Sequence, residues 1–259
     1  MTDPPPGFVD GALHLTGRLT DASNTTLYAR VDAPGGGIAC VYKPVRGERP
    51  LWDFPDGTLA GREVAAYLVA AAAGWSFVPP TVLRDGPLGV GSCQVWIEEA
   101  APPPVGFVPA DEVPAGWLPV LAARDDAGRP YVLAHADDAD LAALAAFDVL
   151  ANNADRKGGH VLTGAGERLY GVDHGLCFHA APKLRTILWG WAGRPLPDPV
   201  RAALARLTAA YGAGLAAGLA AHLTAGEIAA LVGRTAVLAA AGTFPVPPDD
   251  RTAIPWPPI

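Results

Sequence analysis

The sequence predicts an α+β chain in two lobes, a small antiparallel sheet with one helix followed by a mostly helical part. Three observations predict it. The first hundred residues alternate apolar and polar positions between turns rich in Gly and Pro. One helical period interrupts them, over 56–74. Beyond a Pro-rich connector the apolar spacing becomes helical and the residues mostly Ala and Leu.

Residues 8–45 read as a meander. GALHLTGRLT and TTLYARVDA are strands, the run from Pro34 to Gly37 is a turn, and IACVYKPV is a third strand. The helix over 56–74 repeats Leu59, Val64, Tyr67, Leu68 and Ala71 at helical spacing, and Gly74 stops it. FVPPTVLRDGPLGVGSCQVWIEE reads as two strands joined at DGPLG. Residues 101–119 form the Pro-rich connector, so the lobes are expected at 1–102 and 103–259. LPVLAARDDAGRPYVLAH reads as a hairpin turning at Asp125 to Gly128. DDADLAALAAFDVLANN is a helix opened by Asp side chains that suit an N-terminus. HVLTGAGERLYGVDHGLCF reads as two short strands around GAGE, placing Asp173 inside an apolar strand. Ala-rich helices over 198–223 and 224–241 precede a Pro-rich tail. There is no internal repeat.

With 259 residues, half of them apolar, the chain can bury a substantial core. A net charge of −7 argues against a general nucleic-acid binder, whose footprint would be basic, yet leaves room for a nucleotide at a local cationic site. Cys40, Cys93 and Cys177 stand alone in apolar surroundings and read as reduced core residues. No apolar run reads as a membrane span, and MTDPPPG lacks the features of a secretory leader, so a cytoplasmic protein is expected. His135 and His222 read as surface residues.

The chemistry concentrates in a few side chains. Lys43 shares a strand face with Val41 and Val45. An ammonium there is costly unless it is paired or meets an anion. Glu63, on the next helix, could pair with it and hold it ready for a phosphate. In NNADRKGGH, Asp155 stands in a turn after an apolar helix, with Asn152 and Asn153 capping that helix. Asp173 and His160 flank one hairpin and could converge on a divalent cation; Asp173 suits Mg²⁺, whereas His160 is more natural with Mn²⁺. Asp155 would then orient a hydroxyl or take its proton, while Arg156 and Lys157 neutralise developing phosphoryl charge.

This arrangement resembles the protein-kinase-like superfamily, nearest its phosphatidylinositol 3-/4-kinase branch and especially the type II phosphatidylinositol 4-kinases. The matching stretches are VYKP, GREVAAYLVA, GSCQVWIEE, NNADRKGGHVL and YGVDHGLCF, in order over roughly 20–195. The loop also resembles that of an uncharacterised actinobacterial kinase-like family. The resemblance implies a bilobal kinase-like fold and ATP with Mg²⁺ or Mn²⁺ in the cleft. It implies that Lys43 holds the α/β-phosphates, Glu63 positions Lys43, Asp155 is the catalytic Asp and Asp173 binds metal. Gln94, Val95, Trp96, Ile97 and Glu98 would be the hinge that meets adenine. Two departures stand out. Ser23, Asn24 and Thr25 replace the glycine-rich loop and would have to cover the phosphates themselves. His160 stands where Asn is usual.

The expected activity is transfer of the ATP γ-phosphoryl group to a hydroxyl acceptor, lipid, protein or small molecule. The alternatives are a pseudokinase that senses nucleotide or scaffolds partners, and an adenylyl transferase. Lys183, Arg185 and Arg194 alternate with Leu184, Ile187, Leu188, Trp189 and Trp191. They read either as a cationic, aromatic surface for peripheral membrane contact or, more simply, as a loop whose Trp residues anchor it on the helical lobe.

Overall fold

A computed structural model describes residues 3–19, 24–51, 54 and 59–259. The first lobe is an antiparallel sheet of β1 (Leu13–Arg18), β2 (Leu27–Val31), β3 (Ile38–Pro44), β4 (Thr81–Gly86) and β5 (Gly89–Val95), in the order β1-β2-β3-β5-β4. Alternation along β3 decides what the site receives. Cys40 and Tyr42 point into a small core with Phe8, Ala29, Val31 and Cys93. Val41 and Lys43 therefore take the opposite face. Tyr42 lies across from Cys93 and Lys43 from Ser92, which fixes the register.

Helix α1 (Leu59–Ala73) follows β3 in the chain. Glu48 meets its first turn, accepting hydrogen bonds from the Leu59 and Ala60 amides at 2.9 Å each, so a carboxylate sits at the positive end of the helix. The expected start at 56–58 lies outside the described residues. The helix is buried on nearly every side. Its Ala65, Ala66, Val69, Ala70 and Ala73 join the core of the second lobe rather than that of the sheet. Small side chains allow that close approach. Arg62 reaches across the seam: its guanidinium donates to the Cys177 carbonyl and pairs with Glu227, and both side chains are buried.

The Pro-rich connector contains a strand that the sequence reading did not place there. Strand β6 (Val105–Pro109) pairs with β8 (Pro130–Ala136), which pairs with β7 (Trp117–Arg124). Val105, Phe107 and Val108 supply the strand preference, and β6 is an edge strand, where Pro is tolerated. His135 on β8 is fully buried, which corrects its reading as a surface residue. Its ring stacks on Trp191 with centroids 4.3 Å apart and its Nε2 accepts from the Gly190 amide at 3.1 Å. His222 is partly buried.

Helix α2 (Ala139–Ala151) is the spine of the second lobe. Asp138 caps it by accepting from the Asp140 and Leu141 amides. Asn152 ends it in the left-handed region at φ 52°, a conformation Asn tolerates. The hairpin of β9 (Val161–Thr163) and β10 (Leu169–Gly171) lies on this helix. A methyl group on Gly171 would come within 2.8 Å of Leu144, so the approach requires glycine. The expected helix over 198–223 is interrupted. Helix α3 (Asp198–Ala210) runs through a π-helical turn at Tyr211–Leu215 into α4 (Ala216–Leu219), because Gly214 takes φ 114°. Helix α5 (Ala225–Ala241) opens on a Thr224–Glu227 capping box and closes on Gly242. By length and composition the stretch Asp198–Leu219 could cross a membrane, a departure from the expectation of no such run. Here its Val200, Ala203, Leu204 and Leu207 join the core. Cys40, Cys93 and Cys177 are buried and free.

Leu144 is fully buried between α2 and the hairpin. Leu144→Ala should cost about 2–5 kcal/mol through lost burial and the cavity left behind, read as a lower midpoint in urea unfolding.

Candidate active site at the seam of the lobes

The site is organised from below by one buried ion pair. Asp148 stands on the inner face of α2, and Arg156 lies in the turn after it; both side chains are fully buried. Arg156 Nε and Nη2 approach Asp148 at 3.1 and 3.0 Å. Its Nη1 donates to the His160 and Val172 carbonyls, and its Nη2 to His174 Nε2 at 2.7 Å. Asn153 Nδ2 and Thr186 Oγ1 donate to the remaining positions on Asp148. An isolated charge at this depth would be prohibitive, and the network answers it donor by acceptor. Arg156 is thus a strut inside the fold. Its expected task of neutralising phosphoryl charge is corrected, because its donors are engaged away from solvent. The sequence reading missed Asp148. The available signal was a lone carboxylate in the otherwise apolar run LAALAAFDVLA.

Above this strut three segments meet. Lys43 Nζ is ion-paired with Glu63 Oε1 and lies 3.0 Å from Asp173 Oδ1. The other Glu63 oxygen accepts from the His174 amide at 3.0 Å, so α1 is tied directly to the residue after Asp173. Asp173 lies beyond the end of β10, not inside a strand. It adopts φ 59°, and its side chain is 52% exposed. Its carboxylate therefore opens to solvent. Burial works against the Lys43 ammonium, but Asp173 and Glu63 outweigh it and hold the pKa above the ordinary lysine value. Lys43 in turn holds Asp173 below the usual carboxylate range.

Asp155 follows from Asn153, whose Oδ1 accepts the Asp155 amide at 3.0 Å. Burial raises the Asp155 carboxyl above its ordinary value, with Lys157, 3.3 Å away, acting in the opposite direction. His160 Nε2 is 3.3 Å from Asp173 Oδ2. Burial lowers the His160 pKa to about 4, so the ring is neutral at ordinary pH. Its Nδ1 faces the Lys157 amide at 3.4 Å, an arrangement in which Nε2 carries the proton toward Asp173.

The remaining expected residues are arranged differently. Gln94 is buried with its amide on Thr81 Oγ1, and the Val95 and Trp96 amides donate to Pro80 and Ala39. Of the expected hinge, Trp96, Ile97 and Glu98 lie past the end of β5 ladder pairing, with Trp96 still tied to β3 by its amide. Trp96 packs edge-on against Tyr28. Asn24 Oδ1 accepts the Arg49 amide and the Thr25 amide donates to Gly47. These groups staple the loop to the turn after β3. Ser23 lies outside the described residues. Trp189 and Trp191 are buried and Arg185 and Arg194 exposed, so this segment is anchored by its Trp residues.

No cluster of three or more His, Cys, Asp or Glu forms a metal cage among the described residues. Asp173, half-exposed beside a neutral imidazole, fits a hard cation shared with phosphates rather than caged by protein. Asp148→Ala should cost about 3–5 kcal/mol, since it leaves the Arg156 charge buried without its partner. Urea unfolding measures it.

No family model matches the sequence. In the solved structures the chain is similar to the proinflammatory kinase CtkA of Helicobacter pylori, with a TM-score of 0.50 and 10% identity, covering 93% of this chain and 95% of that one. At that identity the likeness speaks to the fold, which is α+β and kinase-like, with an antiparallel sheet before a helical part. Among curated proteins the chain is 50% identical over 260 residues to protein Rv2133c of Mycobacterium tuberculosis, covering 96% of this chain and 93% of the relative. The chain belongs to the family of that mycobacterial protein.

Proposed function

We propose that the protein is an ATP-dependent phosphotransferase, nearest the phosphatidylinositol 3-/4-kinase type, that moves the γ-phosphoryl group to a hydroxyl acceptor. One observation carries the reading. A single ammonium, Lys43, stands between Glu63 and Asp173 at the meeting of two lobes, with Asp155 on the adjoining turn. The kinase-like fold adds support.

In this reading Lys43 takes up the α/β-phosphates and Glu63 keeps it aimed. Asp155 orients the acceptor hydroxyl and receives its proton as the new O–P bond forms and the bridging P–O bond to ADP breaks. A carboxyl raised by burial is the better base for that step. Lys157 stands beside it as the cation nearest the transferred charge. Asp173 would hold Mg²⁺ or Mn²⁺, which supplies charge neutralisation across the phosphates. For His160 to join through Nε2, its proton would have to move to Nδ1, which would then give up the Lys157 amide it accepts from. Ile97 and Glu98 would offer backbone groups to adenine. Catalysis would be mainly positioning and electrostatics.

A second reading, a nucleotide-binding pseudokinase, is favoured by His160 at the position where kinases of this type carry Asn and by the loop without glycine at 23–25. ATP labelled at γ and, separately, at α decides between them. Transfer from γ is expected; transfer from α alone means adenylylation, and no transfer leaves the sensor. Asp155→Ala should keep nucleotide affinity within a few-fold and lower turnover by about 10²–10⁴. A variant as active as the parent would refute the base assignment. Asp173→Asn should weaken binding of Mg²⁺- or Mn²⁺-ATP, measured by calorimetry; unchanged affinity would remove Asp173 from the metal site.

A further inference from the structure

The turn that carries Asp155 and His160 has a weakness. Between them stand Gly158 and Gly159, the least restrained pair of residues a loop can contain. A turn that must hold two functional side chains in register needs outside support at those positions. Gly159 is exposed and a side chain there would meet open space, but Gly158 is buried. What buries it comes from the far end of the chain.

After α5 the Pro-rich segment returns across the lobe. The Ala253 carbonyl accepts from the Thr186 amide at 3.0 Å and from the Trp189 indole at 2.9 Å. Ile254 packs on the main core, and Pro255 and Pro258 are buried. The Pro258 carbonyl then accepts from the Gly158 amide at 2.9 Å. The Ile259 side chain occupies the space where a side chain at 158 would begin: a Cβ there would lie 2.4 Å from Ile259 Cδ1. The anchor points are themselves joined to the turn. The Arg156 amide donates to the Arg185 carbonyl, the Arg185 amide to Asn153, and Thr186 Oγ1 to Asp148. The tail is thus the outer layer of a stack formed by the turn, the 185–189 segment and residues 253–259. Proline suits this part. It is stiff before it docks, so little entropy is lost, and its carbonyls still accept.

The geometry points to residues 253–259 as a strap belonging to the functional site, with Pro258 and Ile259 positioning the turn between Asp155 and His160. The consequence for turnover rests on the phosphotransferase reading; the consequence for the turn does not. The test therefore has two arms, on the full chain, a chain ending at Thr252, and the variants Gly158→Ala, Ile259→Ala and their combination. In hydrogen exchange, removing 253–259 should speed the amides of Gly158 to His160 about tenfold while α2 stays protected. Gly158→Ala should loosen the same amides by displacing Ile259, and the combined variant should restore them. In the second arm the shortened chain should keep Mg²⁺-ATP affinity within a few-fold and lose about tenfold or more in kcat. Amides at 158–160 as protected without the strap as with it overturn the inference. So does a combined variant no better protected than Gly158→Ala, a result that still decides the matter if the shortened chain unfolds. A full chain that transfers no phosphoryl group overturns the phosphotransferase reading and leaves the strap to the exchange data.

Discussion

The constraint beneath the site is the burial of Asp148 against Arg156. An apolar helix delivers one carboxylate to its inner face, and the next turn must return one guanidinium to meet it. Once they are paired, the remaining donors and acceptors reach His160, Val172, His174, Asn153 and Thr186, so three separate segments take their positions from one contact. Such a pair adds little net stability compared with apolar packing, but breaking it is severe. Its value here is geometric. It decides where Asp155 emerges from the turn and where the backbone before Asp173 runs.

The second organising fact is the allegiance of α1. It follows the sheet in sequence, yet its buried alanines share a core with α2 and α3, and Arg62 reaches Glu227 on α5. Glu63 is therefore held by the helical body, through its bond to the His174 amide as well as through the helix. Lys43 is the group that arrives from the sheet, whose small core is separate. The seam between two cores runs between Lys43 and its two carboxylates. A site placed there can bring charges from both sides to a ligand, with Glu63 buried beneath and Lys43 and Asp173 still reached by solvent.

The kinase-like fold is kept at 10% identity with CtkA, so few individual residues are needed to specify it. Here the same architecture is executed in a composition dominated by small residues, with Ala packing the interface of α1 and Gly171 admitting the hairpin onto Leu144. A Glu48 carboxylate caps α1, and the loop before β2 is stapled by Asn24 and Thr25.

Local chemistry settled much in advance. Alternation assigned Lys43 to the face opposite Tyr42, helical spacing found α1 and α2, Asp138 and Asn152 marked the ends of α2, and DGPLG marked the β4–β5 turn. Those features depend on neighbours within a few residues, which periodicity and turn preference record. The rest depended on partners far along the chain. Arg156 and Lys157 are adjacent and equally charged, but one is a buried strut and the other stands beside Asp155, because only one finds Asp148. His135 is buried because Trp191, fifty-six positions later, stacks on it, and Gly158 is covered because Ile259 returns to it. A pattern of apolar and polar positions says which face of an element avoids water. It does not say which distant charge, ring or carbonyl will come to meet that face, and in this protein those meetings decide the site.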